Sequence, residues 1–183
     1  MNALLARVRA CQHCAAHLPH EPRPVVRAHR DARILIIGQA PGTRVHESGI
    51  PWNDPSGRLL REWMEVDDET FYDVKRVALA PMGFCYPGKG KSGDLPPRPE
   101  CAPLWHQELM EKMKNIRLTL LIGQYSQRHY LGDGSKATLT ETVRDFRDHL
   151  PAYLPMPHPS PRNRLWLRRN PWFDEEVVPG LLF

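Results

Sequence analysis

Two continuous aliphatic runs, Ile34–Ile37 and Leu118–Ile122, constrain this chain most strongly, and each ends at a glycine. An unbroken apolar run of strand length is typical of a parallel strand that is buried on both faces. Further strands are predicted over 74–79 and 153–156, and helical spacing fills the segments between them. This alternation predicts an α/β fold, a three-layer α/β/α arrangement with a central, mostly parallel four-stranded sheet.

The size and composition fit one globular domain spanning 1–183, because 183 residues can bury an ordinary core. A hydrophobic share of 41% with 25% charged residues excludes wholesale disorder. The net charge of +4 permits a polyanionic partner without requiring one. The aliphatic runs are far shorter than a membrane span, and the first residues lack the apolar core of a secretion signal. We therefore expect a cytoplasmic monomer with no membrane partner.

Conspicuous motifs follow the predicted strands. The turn Gly38-Gln39-Ala40-Pro41-Gly42 comes directly after the first run, Pro81 follows the second strand, and His158 follows the last. Taken alone, such a turn is more often structural than functional. Because the carboxyl ends of parallel strands meet at one edge of a sheet, we expect all three motifs to line one cleft.

The segment His158-Pro159-Ser160-Pro161-Arg162-Asn163 combines a rigid loop with a basic stretch. Four arginines and no acidic residue lie between 158 and 170. A solvated basic face is one interpretation of this run. A loop that presents one histidine while its neighbours grip a phosphate backbone is the other.

Together these motifs resemble the uracil-DNA glycosylase superfamily, over about residues 5 to 175. The first motif is similar to the turn after the first strand in that family. The histidine loop is most similar to that of the single-strand-selective branch. The segment Gly49–Gly57 looks like the one that supplies a base-stacking aromatic residue, here Trp52, and starts the next helix. We expect that helix over 56–64, with Ser56 as a candidate N-cap.

The resemblance implies hydrolysis of the N-glycosidic bond of a base flipped out of DNA. In that chemistry His158 is the implied hydrogen-bond donor to the departing base, and Trp52 stacks on it. The first turn is implied to shape the base pocket through the Gln39 side chain and through the backbone of three residues, Gly38, Ala40 and Gly42. The implied DNA-contacting residues, which hold a flanking phosphate or enter the duplex, are Ser160, Arg162, Asn163, Arg164 and Leu165.

Two regions differ from the family pattern, the first turn and the stretch at Pro81. Gln39 stands where the iron–sulfur branch has a glutamate, and Ala40 where the duplex-specific enzymes have an aspartate. Candidates for orienting the attacking water are therefore Asp54 and Glu47, with His46 as a third. Pro81 occupies the region where related enzymes read uracil with an asparagine, and proline has no side-chain amide for that purpose.

These differences leave alternatives open. The first hypothesis is a monofunctional DNA glycosylase acting on uracil or a related deaminated or damaged base. The second is a protein of the same fold that binds damaged or abasic sites in DNA with little or no turnover. Catalysis on RNA or free nucleosides is a third, weaker hypothesis.

The chain has four cysteines, Cys11, Cys14, Cys85 and Cys101. In a reducing compartment, clustered cysteines more often bind metal than form disulfides. Four thiolates suit a [4Fe-4S] cluster or a tetrahedral zinc ion, although zinc ribbons usually present two Cys-x2-Cys pairs and this chain has one. The layout resembles the iron–sulfur (family four) branch of the superfamily, which implies a [4Fe-4S] cluster; zinc and free thiols remain the alternatives.

Overall fold

A computed structural model describes residues 1–181. The strands are β1 (Ile34–Ile37), β2 (Val77–Leu79), β3 (Lys89–Gly90), β4 (Gly93–Asp94), β5 (Leu118–Ile122) and β6 (Tyr153–Met156). The α-helices are α1 (Asn2–Arg9), α2 (Thr43–Ser48), α3 (Pro55–Trp63), α4 (Asp68–Tyr72), α5 (Cys101–Lys112), α6 (Gln124–Leu131), α7 (Leu139–Arg144) and α8 (Arg164–Arg169). Shorter helical turns cover Ala15–His17, Gly132–Gly134, Phe146–His149, Pro161–Asn163, Phe173–Val177 and Val178–Leu181.

The central sheet has four strands in the order β2-β1-β5-β6, and every pair in it is parallel. This confirms the predicted α/β fold and its three layers. Alternate residues of β1 serve the two faces, since Ile36 packs with the helices on one side and Leu35 with those on the other. The chain adds β2 on one side of β1 and then β5 and β6 on the other, so the strand order reverses between β1 and β5. Open α/β sheets form their ligand crevices at such a point.

Local hydrogen bonds explain where the elements differ from the prediction. The second strand is shorter than 74–79, because the amides of Arg76 and Val77 both donate to the carbonyl of Asp73 and close a turn there. The helix expected over 56–64 begins at Pro55. Ser56 is not its N-cap; the Asp54 carboxylate takes that position and accepts from the Gly57 amide at 2.8 Å.

The N-terminal connector runs along the free edge of β2. Arg27 pairs with Leu79 in an antiparallel bridge, and the Val25 amide donates to the Phe84 carbonyl at 2.8 Å. This path brings Val25 to the carboxyl edge of the sheet. Within residues 1–181, no helix is both long and apolar enough to cross a membrane.

Candidate active site

A cavity lies at the carboxyl edge of the sheet, where open α/β sheets usually bind their ligands. Eight of the residues singled out in the sequence line it together: Gly38, Gln39, Ala40, Gly42, Trp52, Asp54, Pro81 and His158. Val25, Pro41, Val45 and Pro51 also line it. No sequence motif pointed to the two valines, which enter from the connector and from α2. The walls combine apolar side chains with three polar ones, those of Gln39, Asp54 and His158.

Backbone hydrogen bonds tie the first turn to the segment after β2. The amide of Met82 donates to the Gly38 carbonyl and that of Gly83 to the Gln39 carbonyl, both at 2.9 Å. The amides next to Pro81 are therefore engaged in holding the turn. The amides of Ala40 and Gly42, by contrast, donate to no other group in the described chain.

The Gln39 side chain crosses from β1 to the end of β5. It lies against Gly123, where an added Cβ would come within 2.9 Å of its amide nitrogen and where the backbone φ is +87°. A side chain at position 123 would therefore conflict with Gln39. Gln39 supplies the one side-chain amide among the lining residues, so it carries both a donor and an acceptor into the pocket.

Trp52 is held in an unusual backbone conformation, with φ at +59°. Its ring stacks on His158 with centroids 5.6 Å apart, and it covers Gly38 so closely that a Cβ there would lie 2.9 Å from the ring. A Cβ at Gly57 would overlap the Trp52 carbonyl. Non-glycine residues at positive φ are uncommon and cluster at functional sites. The strained backbone of Trp52 therefore supports a functional role for this residue.

His158 is the principal titratable group of the cavity. Burial lowers its pKa to about 4, and the nearby Asp54 carboxylate opposes that shift only in part. The imidazole is therefore neutral at physiological pH. Its Nδ1 atom is buried and has no hydrogen-bond partner among the described residues. Buried polar atoms are nearly always paired, so this ring nitrogen is an exception among the described residues.

The structure separates the three candidates for orienting water. Asp54 lines the cavity, whereas Glu47 is exposed on α2 and is not among the lining residues. His46 is turned into an aromatic stack with His20 and Tyr86, with centroids 5.2 and 5.8 Å away. Asp54 is thus the candidate that shares the cavity with His158.

A buried histidine that the sequence did not reveal fixes the Pro81 segment. His106 on α5 bonds through Nε2 to the Pro81 carbonyl at 3.0 Å and through Nδ1 to the Tyr130 hydroxyl. A carbonyl only accepts, so Nε2 carries the proton and Nδ1 accepts from the hydroxyl. Burial lowers the pKa of His106 to about 4, which keeps this tautomer neutral. A lone histidine within a helix carries no local sequence signal for such a role.

The loop after His158 folds back on itself. The side-chain amide of Asn163 donates to the His158 carbonyl at 2.8 Å, so Asn163 shapes the loop from within. The Ser160 hydroxyl accepts from the Arg162 amide at 3.3 Å. Arg164 and Leu165 are exposed at the start of α8, and Leu165 keeps 49% of its surface accessible. An exposed leucine between arginines is consistent with the predicted insertion into a nucleic acid.

All four cysteines line a second cavity, between the N-terminal turn and the start of α5. Its other walls are mainly apolar and include Phe84 and Trp105. The Phe84 amide donates to the Cys101 sulfur at 3.3 Å. Burial raises the pKa of the Cys85 thiol to about 11. Within residues 1–181, no group of three or more His, Cys, Asp or Glu side chains is arranged to hold a metal ion.

The fold and the first cavity define a class: an α/β protein with a cavity where its parallel strands end, lined by one neutral histidine. Comparison with protein families narrows that class. The Uracil DNA glycosylase superfamily matches residues 26–182, which is most of the chain and includes every residue lining that cavity except Val25. The chain belongs to this superfamily of DNA glycosylases.

Proposed function

We propose that this protein is a monofunctional DNA glycosylase that hydrolyses the N-glycosidic bond of a flipped deaminated or damaged base, uracil or a related one. The observation that carries the proposal is the neutral, buried His158, whose ring stacks on Trp52 and which lines one cavity with Trp52 and Asp54. Enzymes that act on a base in DNA take it out of the stack and bind it in a pocket, and this cavity is the proposed pocket.

The reaction needs a donor for the charge that develops on the departing base. His158 supplies a neutral N–H for that purpose, and a preorganised donor of this kind contributes about 2.7–4 kcal/mol. The C1′–N bond breaks with its electron pair leaving on the base, while the oxygen of a water molecule bonds to C1′. Asp54 takes up a proton from that water and passes it to solvent, and the base anion regains a proton from solvent.

The pocket supports relaxed base selection. The Met82 and Gly83 amides are bonded to the first turn, and the Pro81 carbonyl is bonded to His106. The wall where related enzymes present an asparagine therefore offers mainly the proline ring to a base. Gln39 and the free amides of the turn remain as groups that read the base edge.

A [4Fe-4S] cluster held by the four cysteines is the second part of the proposal. Each iron of such a cluster takes one thiolate, so the sulfurs surround a cage rather than meet at one point. Two observations support this proposal: all four cysteines line one apolar cavity, and the Phe84 amide donates to the Cys101 sulfur. A zinc ion needs all four sulfurs about 2.3 Å from one point. The cluster would join the N-terminal turn to α5, and its role would be structural.

A base-release panel tests the activity. Single- and double-stranded oligonucleotides carrying uracil, hypoxanthine, xanthine or oxidised pyrimidines are incubated with excess protein, and the free base is measured. We expect release of at least one base, reduced about 10²- to 10³-fold by His158→Ala. Asp54→Asn is expected to reduce release strongly, and Glu47→Gln to leave it near the wild-type rate.

The panel also separates the alternative of a DNA-binding protein without turnover. That alternative predicts tight binding to a duplex with an abasic site, no base release under any condition, and binding that His158→Ala leaves unchanged. Absence of release from every oligonucleotide would refute the glycosylase proposal.

A further inference from the structure

A short hairpin stands beside the first cavity and carries two lysines that no family motif accounts for. Strands β3 and β4 pair antiparallel, with Lys89 opposite Asp94, and Lys91 lies in the turn between them. Both lysines are exposed. Within residues 1–181, neither forms an ion pair. In the sequence this segment shows only a Gly/Pro/Lys-rich loop.

The hairpin is attached to the histidine loop. The Arg162 guanidinium donates from Nη1 to the Ser92 carbonyl at 3.0 Å. It lies directly over Gly93, where an added Cβ would overlap that same nitrogen. Arg162, one cation of the proposed DNA-contacting loop, therefore holds the hairpin turn in place.

The other strand of the hairpin lies against the first turn. A Cβ at Gly42 would come within 3.3 Å of the Asp94 carboxylate. Directly opposed residues of an antiparallel pair project from the same face, so Lys89 shares the face of Asp94, which is turned toward the cavity rim. The hairpin therefore bridges from the Gly42 turn to Arg162.

We propose that the β3–β4 hairpin is a second contact for the nucleic-acid backbone, in which Lys89 and Lys91 neutralise phosphates of the strand that carries the flipped base. This inference rests on the proposed action on DNA. The histidine loop and α8 supply cations on one side of the cavity, and the hairpin supplies them on another. A strand that delivers a base to His158 passes between the two, and the Arg162–Ser92 hydrogen bond fixes their separation.

Salt-dependent binding tests the hairpin without requiring catalysis. The probe is a fluorescein-labelled duplex with one tetrahydrofuran abasic-site analogue, which has no base to release. Each neutralised phosphate contributes about 0.9 to the slope of log K against log salt on duplex DNA. For Lys89→Ser/Lys91→Ser we expect the slope to fall by about 1.8, so the affinity lost between about 50 and 200 mM salt shrinks about tenfold relative to wild type.

A matched control has the same charge change and spacing. Lys112→Ser/Lys114→Ser removes two exposed lysines just before β5, at the amino edge of the sheet and away from the cavity. We expect this variant to keep the wild-type slope. Equal slopes for the two double variants would overturn the hairpin proposal while leaving the glycosylase intact. A wild-type protein with neither salt-dependent binding nor base release would refute the proposed function, and the hairpin proposal with it.

Discussion

The strained backbone of Trp52 places a specific requirement on the residue that packs against it. The chain meets it with Gly57, whose missing side chain makes room for the Trp52 carbonyl. We expect Gly57→Ala to lower the free energy of unfolding by about 1–3 kcal/mol, because the methyl group must displace a backbone atom in a packed segment. It should also reduce base release by moving the stacking ring.

Denaturant titration and base release measure the two effects of Gly57→Ala. Gly180→Ala is the matched control, since an added Cβ there has no neighbour within 4 Å. Equal stability of the two variants would show that the Trp52 conformation is not held by this contact.

The protonation state of His158 gives a second prediction at the level of one residue. Burial lowers its pKa to about 4, so the ring should stay neutral as the pH falls from 8 to about 5. Its NMR ring-proton signals, assigned by comparison with His158→Gln, should remain constant over that range. A titration centred near the ordinary value of 6.5 would contradict the neutral-donor role.

At the scale of elements, the sequence predicts best where a strand is buried on both faces. The predicted strands 118–122 and 153–156 coincide with β5 and β6, and the first run becomes β1. Because these strands end at one edge, Gly38, Pro81 and His158 share a cavity as expected. The prediction was wrong for Ser56, since Pro55 fits the first helical position and moves the cap to Asp54.

Contacts between distant segments explain what the sequence left out. Val25 reaches the cavity because its neighbour Arg27 forms an antiparallel bridge with Leu79, a residue far along the chain. His106 acts on Pro81 through a hydrogen bond across the fold. Neither contact has a local pattern, because each depends on how elements pack and not on the spacing within one of them.

A [4Fe-4S] cluster is predicted where three segments meet: the N-terminal turn, the loop after β2 and the start of α5. Anaerobically purified protein should be brown, with visible charge-transfer absorbance and about four irons per chain. The chain has four cysteines, so each single Cys→Ala variant removes one of the four proposed ligands. Cys85→Ala should lose colour and iron together. A colourless wild-type protein with stoichiometric zinc would refute the cluster and favour the zinc alternative.

At the scale of the whole molecule, two buried neutral histidines make the stability depend on pH. His106 and His158 each have a folded-state pKa of about 4, below the value of 6.5 for an unperturbed ring. Between these values the unfolded chain binds more protons than the folded one, so stability falls as the pH falls from 6.5 to 4. The shift corresponds to about 3 kcal/mol for each histidine.

Denaturant unfolding at pH 7.5 and pH 4.5 measures this loss. Protonation of His106 puts a proton on Nδ1, so the Tyr130 hydroxyl must turn from donor to acceptor while a charged ring stays buried between α6 and Pro81. His106→Gln removes the titrating group and should make stability less dependent on pH, although it lowers stability at pH 7.5. His13→Gln, at an exposed position, should retain the wild-type dependence. If His106→Gln and His13→Gln lose the same free energy between the two pH values, the acid sensitivity does not arise from the histidine that joins α5 and α6 to the cavity.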